Sequence, residues 1–155
     1  MAMQHTPLLM SNILDRGATV APNEEIVTLT ETGVRRQSYR ETRDRAHQLA
    51  HALAGIGIKV GDRVGTFMWN GSRHLEAYHA VAGMGAVLHT LNVRLSPKDL
   101  EYIINHAEDQ IIIVDADVLP LLEVLNGKIP TVRKIIVATE DGFEGWSTGL
   151  PDPVD

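Results

Sequence analysis

The chain contains no cysteine. Disulfides, thiolate metal sites and cysteine nucleophiles are therefore excluded, and the composition suits a cytoplasmic protein. Aromatic residues make up only 5% of the sequence, which leaves few platforms for stacking single-stranded bases. Excess positive charge is missing as well: 14 Lys and Arg face 20 Asp and Glu, a formal net charge of −6. Its basic cluster, Arg35, Arg36, Arg40, Arg43 and Arg45, is interleaved with Glu41 and Asp44. That pattern reads as a solvated mixed-charge helix face, so no nucleic acid is expected as a partner. Apolar runs are short, as in Ile111–Val114, and no transmembrane segment is expected. Met1–Asn12 has no basic start followed by a long apolar stretch, so no secretory signal is expected either.

What is present is a chain of 155 residues, 44% apolar and 22% charged. That is the signature of one ordered domain with a substantial core. Thr6–Val20 reads as a helix with Leu9, Met10, Ile13 and Leu14 on one side, broken by Pro22-Asn23. Glu25–Thr30 and Val34–Gln37 flank turn residues and read as a hairpin at an edge. Ser38 and Glu41 match a capping box, opening a helix that Gly55 and Gly57 stop.

An alternation of strands and helices follows. Arg63–Met68, Ala86–Thr90, Ile111–Asp115 and Lys134–Ala138 are short runs suited to buried strands. Between them lie helices expected to begin at Ser72, Ser96-Pro97 and Asp117. The fold class is therefore α/β: a doubly wound, mostly parallel sheet with flanking helices, plus an N-terminal hairpin. Residues 1–139 are expected to form the α/β unit. The Gly- and Pro-containing stretch 140–155 reads as a linker or tail.

Ligands of such sheets sit at the carboxyl ends of the strands. No phosphate cradle is visible there. Gly55–Gly61 and Gly83–Gly85 follow helices and precede strands, the reverse of the required order. His47 and His51 have the i, i+4 spacing of metal ligands but lack a third, so a solvated or partly packed pair is the plainer reading. His74 and His79 are five apart and do not form a zincin motif with Glu76, while His106 suits a helix C-terminus. In the loop His89–Ser96, Asn92 and Arg94 either position a substrate or fix the loop through backbone bonds. Asp115 has the place of a receiver-type phosphoacceptor, although Trp69-Asn70-Gly71 stands where an acidic pair would be required. No nucleophile elbow or close carboxylate pair is found. The residues alone assign no catalytic, cofactor-binding or metal-ligating position.

Their order carries a resemblance. Ser38-Tyr39-Arg40-Glu41, Arg45-Ala46, Leu49, Ala52-Leu53, Gly57-Ile58, Gly61-Asp62-Arg63-Val64 and Glu76-Ala77 occur in sequence. Gly85-Ala86-Val87 and His89–Leu95 follow. Together they resemble the N-terminal stretch of the adenylate-forming acyl-CoA synthetases, most closely the medium- and long-chain fatty-acid members. The likeness runs from about Leu9 to Ala138. It implies an acid–thiol ligase that joins a fatty acid to ATP as an acyl-adenylate, releases pyrophosphate, and then passes the acyl group to coenzyme A with magnesium assisting. The family's phosphate loop ending in Pro-Lys-Gly, its adenine-holding motif and its C-terminal domain with a catalytic lysine have no counterpart in these residues. The resemblance thus implies a segment of a longer enzyme, inactive alone, with the remainder of that enzyme as partner and a homodimer as a possible assembly. No catalytic residue of the family maps onto this chain. The alternative from another class is a stand-alone flavodoxin- or receiver-like binding or signalling module.

Overall fold

The computed structural model describes residues 9–30, 33–139 and 142–146, the last five as backbone. Helix α1 (Met10–Val20) starts the described chain, so the first residues of the expected helix lie outside it. Of the four apolar residues expected on one side, only Leu14 is buried; Ala18, one turn on, is its partner. Leu9, Met10 and Ile13 are exposed, because positions 14 and 18 are the ones turned towards the neighbouring helices.

Strands β1 (Glu25–Thr30) and β2 (Gly33–Ser38) pair antiparallel, with Leu29 opposite Val34 and Glu25 opposite Ser38. They form a sheet of their own and do not join the edge of the main one. Helix α2 (Tyr39–Gly55) begins with the expected capping box. The Ser38 hydroxyl accepts the Glu41 N–H, while the Glu41 carboxylate accepts from the Ser38 N–H at 2.8 Å. Gly57, just past its end, has φ +89°, which a side chain would strain.

The main sheet has the order β4-β3-β5-β6-β7. Strands β3 (Arg63–Phe67), β4 (Val87–Thr90), β5 (Ile111–Asp115) and β6 (Lys134–Thr139) run parallel, as the buried apolar runs imply. Strand β7 (Gly142–Trp146) pairs antiparallel with β6, from Thr139 opposite Gly142 to Ile135 opposite Trp146. The reading of 140–155 as a linker is therefore corrected at 142–146. An unpaired β6 would present open backbone donors and acceptors, and the glycine-containing segment supplies their partners. The rest of that tail lies outside the described residues.

Helices α1, α2 and α3 (Ser72–Gly83) cover one face of the sheet, over Val64, Ile111, Ile113 and Ile136. Helices α4 (Pro97–Ala107) and α5 (Leu119–Glu123) cover the other, over Phe67, Ile112, Val114 and Val137. Alternate residues of β5 thus serve two cores, which is why the strand is apolar from Ile111 to Val114. Between α3 and β4 the chain turns at Gly85, φ +83°, where a Cβ would come 3.2 Å from Val60.

Two helix starts differ from expectation. Ser72 is the first buried residue of α3, and Gly71 is its N-cap without a side-chain bond. Thr28 of β1 takes over, its Oγ1 accepting the Ser72 N–H at 3.1 Å. Asp117 does not open α5, which follows Val118 and carries Pro120 in its first turn; the Asp117 carboxylate is engaged by the indole of Trp69.

Candidate functional site

Strands β3 and β5 are neighbours, yet β3 leads to α3 on one face and β5 to α5 on the other. Their carboxyl ends therefore bound the crevice of a topological switch point, the usual ligand position in this architecture. Trp69 spans it. Its backbone N–H donates to the Asp115 carboxylate at 2.7 Å, and its indole Nε1–H donates to Asp117 at 2.8 Å. Trp69 is 46% exposed, so the crevice presents an amphipathic residue beside two carboxylates. Burial pushes the Asp115 carboxyl up to about 6, opposed by the Trp69 N–H and reinforced by Asp117.

Below this loop, the buried His74 ring bridges Thr66 Oγ1 (3.0 Å) and the Trp69 carbonyl (3.2 Å). Burial holds its pKa below the usual value. Because a carbonyl only accepts, the neutral tautomer with its proton on Nδ1 satisfies both bonds. His74 is thus a strut for the Trp69 turn.

At the end of β4, the Asn92 side chain accepts the Arg94 N–H at 2.9 Å. Asn92 therefore shapes the loop, and the Arg94 side chain is exposed. His89 faces the buried Asp109, its Nδ1 lying 2.8 Å from Oδ2. Burial raises the Asp109 carboxyl, and the His89 hydrogen bond and the charges of His89 and Arg63 counter it.

The remaining candidates are separated from this crevice. His47 and His51 are exposed on α2, where they border, with Asp15 and His79, a cavity of about 340 Å³ between α1, α2 and α3. His47 lies 3.7 Å from Asp15. Among the described residues no three His, Asp or Glu are grouped to hold a metal ion. His106, in the last turn of α4, stacks on Tyr102 at 5.6 Å between ring centroids.

The residues that pattern reasoning missed are Trp69, Asp117, Asp109 and Glu76. Glu76 is fully buried on α3 and accepts from Arg45 Nε at 2.7 Å and Gln37 Nε2 at 2.8 Å. An acidic residue next to Ala77 and one turn before Ala80, on the face that α3 buries, was the available signal. The described residues do not fit the ATP and magnesium that the resemblance implies for the parent enzyme. The N-terminus of α3, the place for a phosphate at this switch point, already receives Thr28.

The parallel sheet with helices on both faces and a crevice between β3 and β5 defines the doubly wound α/β class. Residues 14–152 match the AMP-binding enzyme family, and the chain belongs to that family. It is 46% identical over 145 residues to a long-chain-fatty-acid–CoA ligase of Thermus thermophilus, covering 93% of this chain and 27% of that protein. A 3-methylmercaptopropionyl-CoA ligase of Ruegeria pomeroyi is 40% identical over 87% of this chain and 25% of its own length. The N-terminal domain of FACL13 from Mycobacterium tuberculosis superposes with a TM-score of 0.79 at 25% identity, covering 85% of this chain and 34% of that one. An anthranilate CoA ligase in complex with anthranoyl-AMP gives a TM-score of 0.77 at 27% identity over 88% of this chain and 26% of its own. The chain spans about a quarter of the length of these curated relatives. The flavodoxin- or receiver-like alternative is set aside by this family membership. No helix among the described residues is long and apolar enough to cross a membrane.

Proposed function

We propose that this chain is the N-terminal α/β unit of a fatty acyl-CoA ligase that forms an acyl-adenylate from ATP and then a CoA thioester. The observation that carries the reading is 46% identity over nearly the whole chain to a long-chain-fatty-acid–CoA ligase. A medium-chain-fatty-acid–CoA ligase that is 36% identical over 87% of this chain supports the same substrate class. The phosphate-binding loop, the magnesium ligands, the CoA site and the catalytic lysine belong, in this reading, to the remaining polypeptide. The unit expected over residues 1–139 supplies, through its two-sided sheet, a platform for the rest of the enzyme, and the cytoplasm is the compartment in which fatty acid, ATP and CoA meet. A homodimer is an assembly compatible with this role.

A chimera tests it. Residues 9–146 of this chain replace the matching segment of the Thermus thermophilus ligase, and acyl-CoA formation is followed with ATP, magnesium, CoA and a long-chain fatty acid. Retained turnover is the expected result. A folded chimera without activity overturns the reading, as does pyrophosphate release by the isolated 155-residue chain.

A further inference from the structure

The cavity of about 340 Å³ between α1, α2 and α3 originates in the short side chains around it. Ala46, Ala50 and Ala54 recur every fourth residue along α2, and α3 offers Ala80 and Gly83. Side chains this short leave space where the three helices meet. Protein interiors hold few voids larger than a water molecule, so a space of this size between packed helices has the dimensions of a ligand pocket. We propose that it binds a small uncharged apolar molecule carrying one hydroxyl, an assignment independent of the acyl-CoA ligase reading.

The lining sets the size and the body of the ligand. Leu14, Ala46 and Ala80 are buried and form the base, while Ala50 and Met84 wall it. An apolar cavity of about 150 Å³ accommodates benzene. At about 340 Å³ this one admits two fused rings, or a chain of equal bulk. Affinity comes from the apolar surface that such a body takes out of water.

The polar groups decide the class. Asp15 supplies a carboxylate at the mouth, and the described residues that line the cavity include no lysine or arginine. His79 stands on the α3 side. Burial holds its pKa below the usual value, opposed by the Met10 backbone and by Asp15, so it adds no fixed positive charge near neutrality. A carboxylate or phosphate ligand would therefore meet Asp15 with no fixed cation to balance it. An uncharged hydroxyl suits the mouth better. Asp15 Oδ1 and His47 Nε2 lie 3.7 Å apart, beyond direct hydrogen-bond reach. A hydroxyl placed beside them can donate to the carboxylate and accept from the imidazole when Nε2 carries its proton.

Titration calorimetry of the 155-residue chain with 2-naphthol at pH 7 tests the site. Saturable binding is expected. The anion 2-naphthoate, which has the same ring system, should bind about tenfold more weakly, the factor equivalent to about 1.4 kcal/mol. Ala50→Leu adds apolar bulk to the cavity and keeps a strong helix former on α2. It should weaken 2-naphthol binding by about the same factor. The unfolding midpoint of the ligand-free variant should stay unchanged or rise, which separates a filled cavity from a damaged fold. Amide NMR shifts on adding 2-naphthol to the wild type locate the site without any variant. They should centre on residues 46–54 and 79–84 and spare the hairpin. Absence of saturable binding overturns the proposal, and so does equal affinity for 2-naphthoate. Full affinity in Ala50→Leu, or shifts centred outside these helices, overturns it as well.

Discussion

The Asp115 carboxylate accepts the backbone N–H of Trp69 at 2.7 Å, tying together the ends of two adjacent strands that send the chain to opposite faces of the sheet. With the indole bonded to Asp117, one residue closes the crevice where this architecture places its ligands. The relationship sets the shape of that crevice and loads it with a carboxyl that titrates in an unusual range.

A pH dependence follows from it. Burial raises the Asp115 carboxyl from 3.8 to about 6, so between these values the folded chain binds more protons than the unfolded one. Stability linked to this group is therefore complete below about pH 4 and is lost as pH rises through 6. Asp115→Asn keeps an acceptor for the Trp69 N–H and removes the titration. Urea unfolding of both proteins at pH 4.5 and pH 7 should show the variant gaining on the wild type by about 1 kcal/mol at the higher pH, after allowing for solvent screening. Parallel stability curves would show that the Asp115 environment has been misread.

The Glu76 network makes a larger demand. Its carboxylate has no exposure and is held by Arg45, Arg73 and Gln37. Arg45→Ala leaves a buried charge short of its shortest ion-pair partner and is expected to destabilise the fold by about 2–3 kcal/mol. Glu76→Gln in the Arg45→Ala background should recover part of that loss, because the uncompensated charge disappears. Additive effects in a double-mutant cycle of chemical denaturation would argue against the coupling.

The helix at Ser38 tests a purely local interaction. Ser38→Ala removes the hydroxyl that accepts the Glu41 N–H, and a loss of about 1 kcal/mol is expected. Thermal unfolding measures it. An unchanged midpoint would mean that packing of α2, not its cap, fixes where the helix starts.

What was legible in the sequence was local. Ser38 with Glu41, and Ser96 with Pro97, announce helix starts within four residues, and both caps form as their spacing implies. The runs Val64–Phe67 and Ile111–Val114 are buried on both faces and so gave the parallel sheet away. Distant partners were hidden. Thr28 caps α3 from 44 residues away, and Gln37 reaches Glu76 across 39. Trp69 meets Asp117 only once β3 and β5 lie in register, so no spacing rule reveals the crevice. Strand β7 owes its form to the open edge of β6 and little to its own glycine-containing sequence, which pattern reading took for a tail. Membership of the AMP-binding enzyme family left no trace in periodicity, and only the ordered motifs pointed to it.

Two glycine replacements of opposite sign test the packing around β3. Gly65 lies mid-strand, opposite His89 on β4 and Ile112 on β5. A Cβ there would come 3.1 Å from Ile112 Cγ1, 3.2 Å from Asp109 Oδ2 and 3.4 Å from Leu91 Cδ1. The first neighbour belongs to a β-branched core residue and the second to a carboxylate held by His89, so neither yields easily. Gly65→Ala should therefore cost about 1–3 kcal/mol through overpacking. Gly55, the last residue of α2, has nothing within 4 Å of its added Cβ and lies in a conformation open to any side chain. Gly55→Ala should stabilise by up to about 1 kcal/mol, chiefly by restricting the unfolded chain. Urea midpoints of the two variants should move in opposite directions. If Gly65→Ala proved as mild as Gly55→Ala, the close approach of Asp109 to β3 would be wrong, and with it the reason that strand carries a glycine.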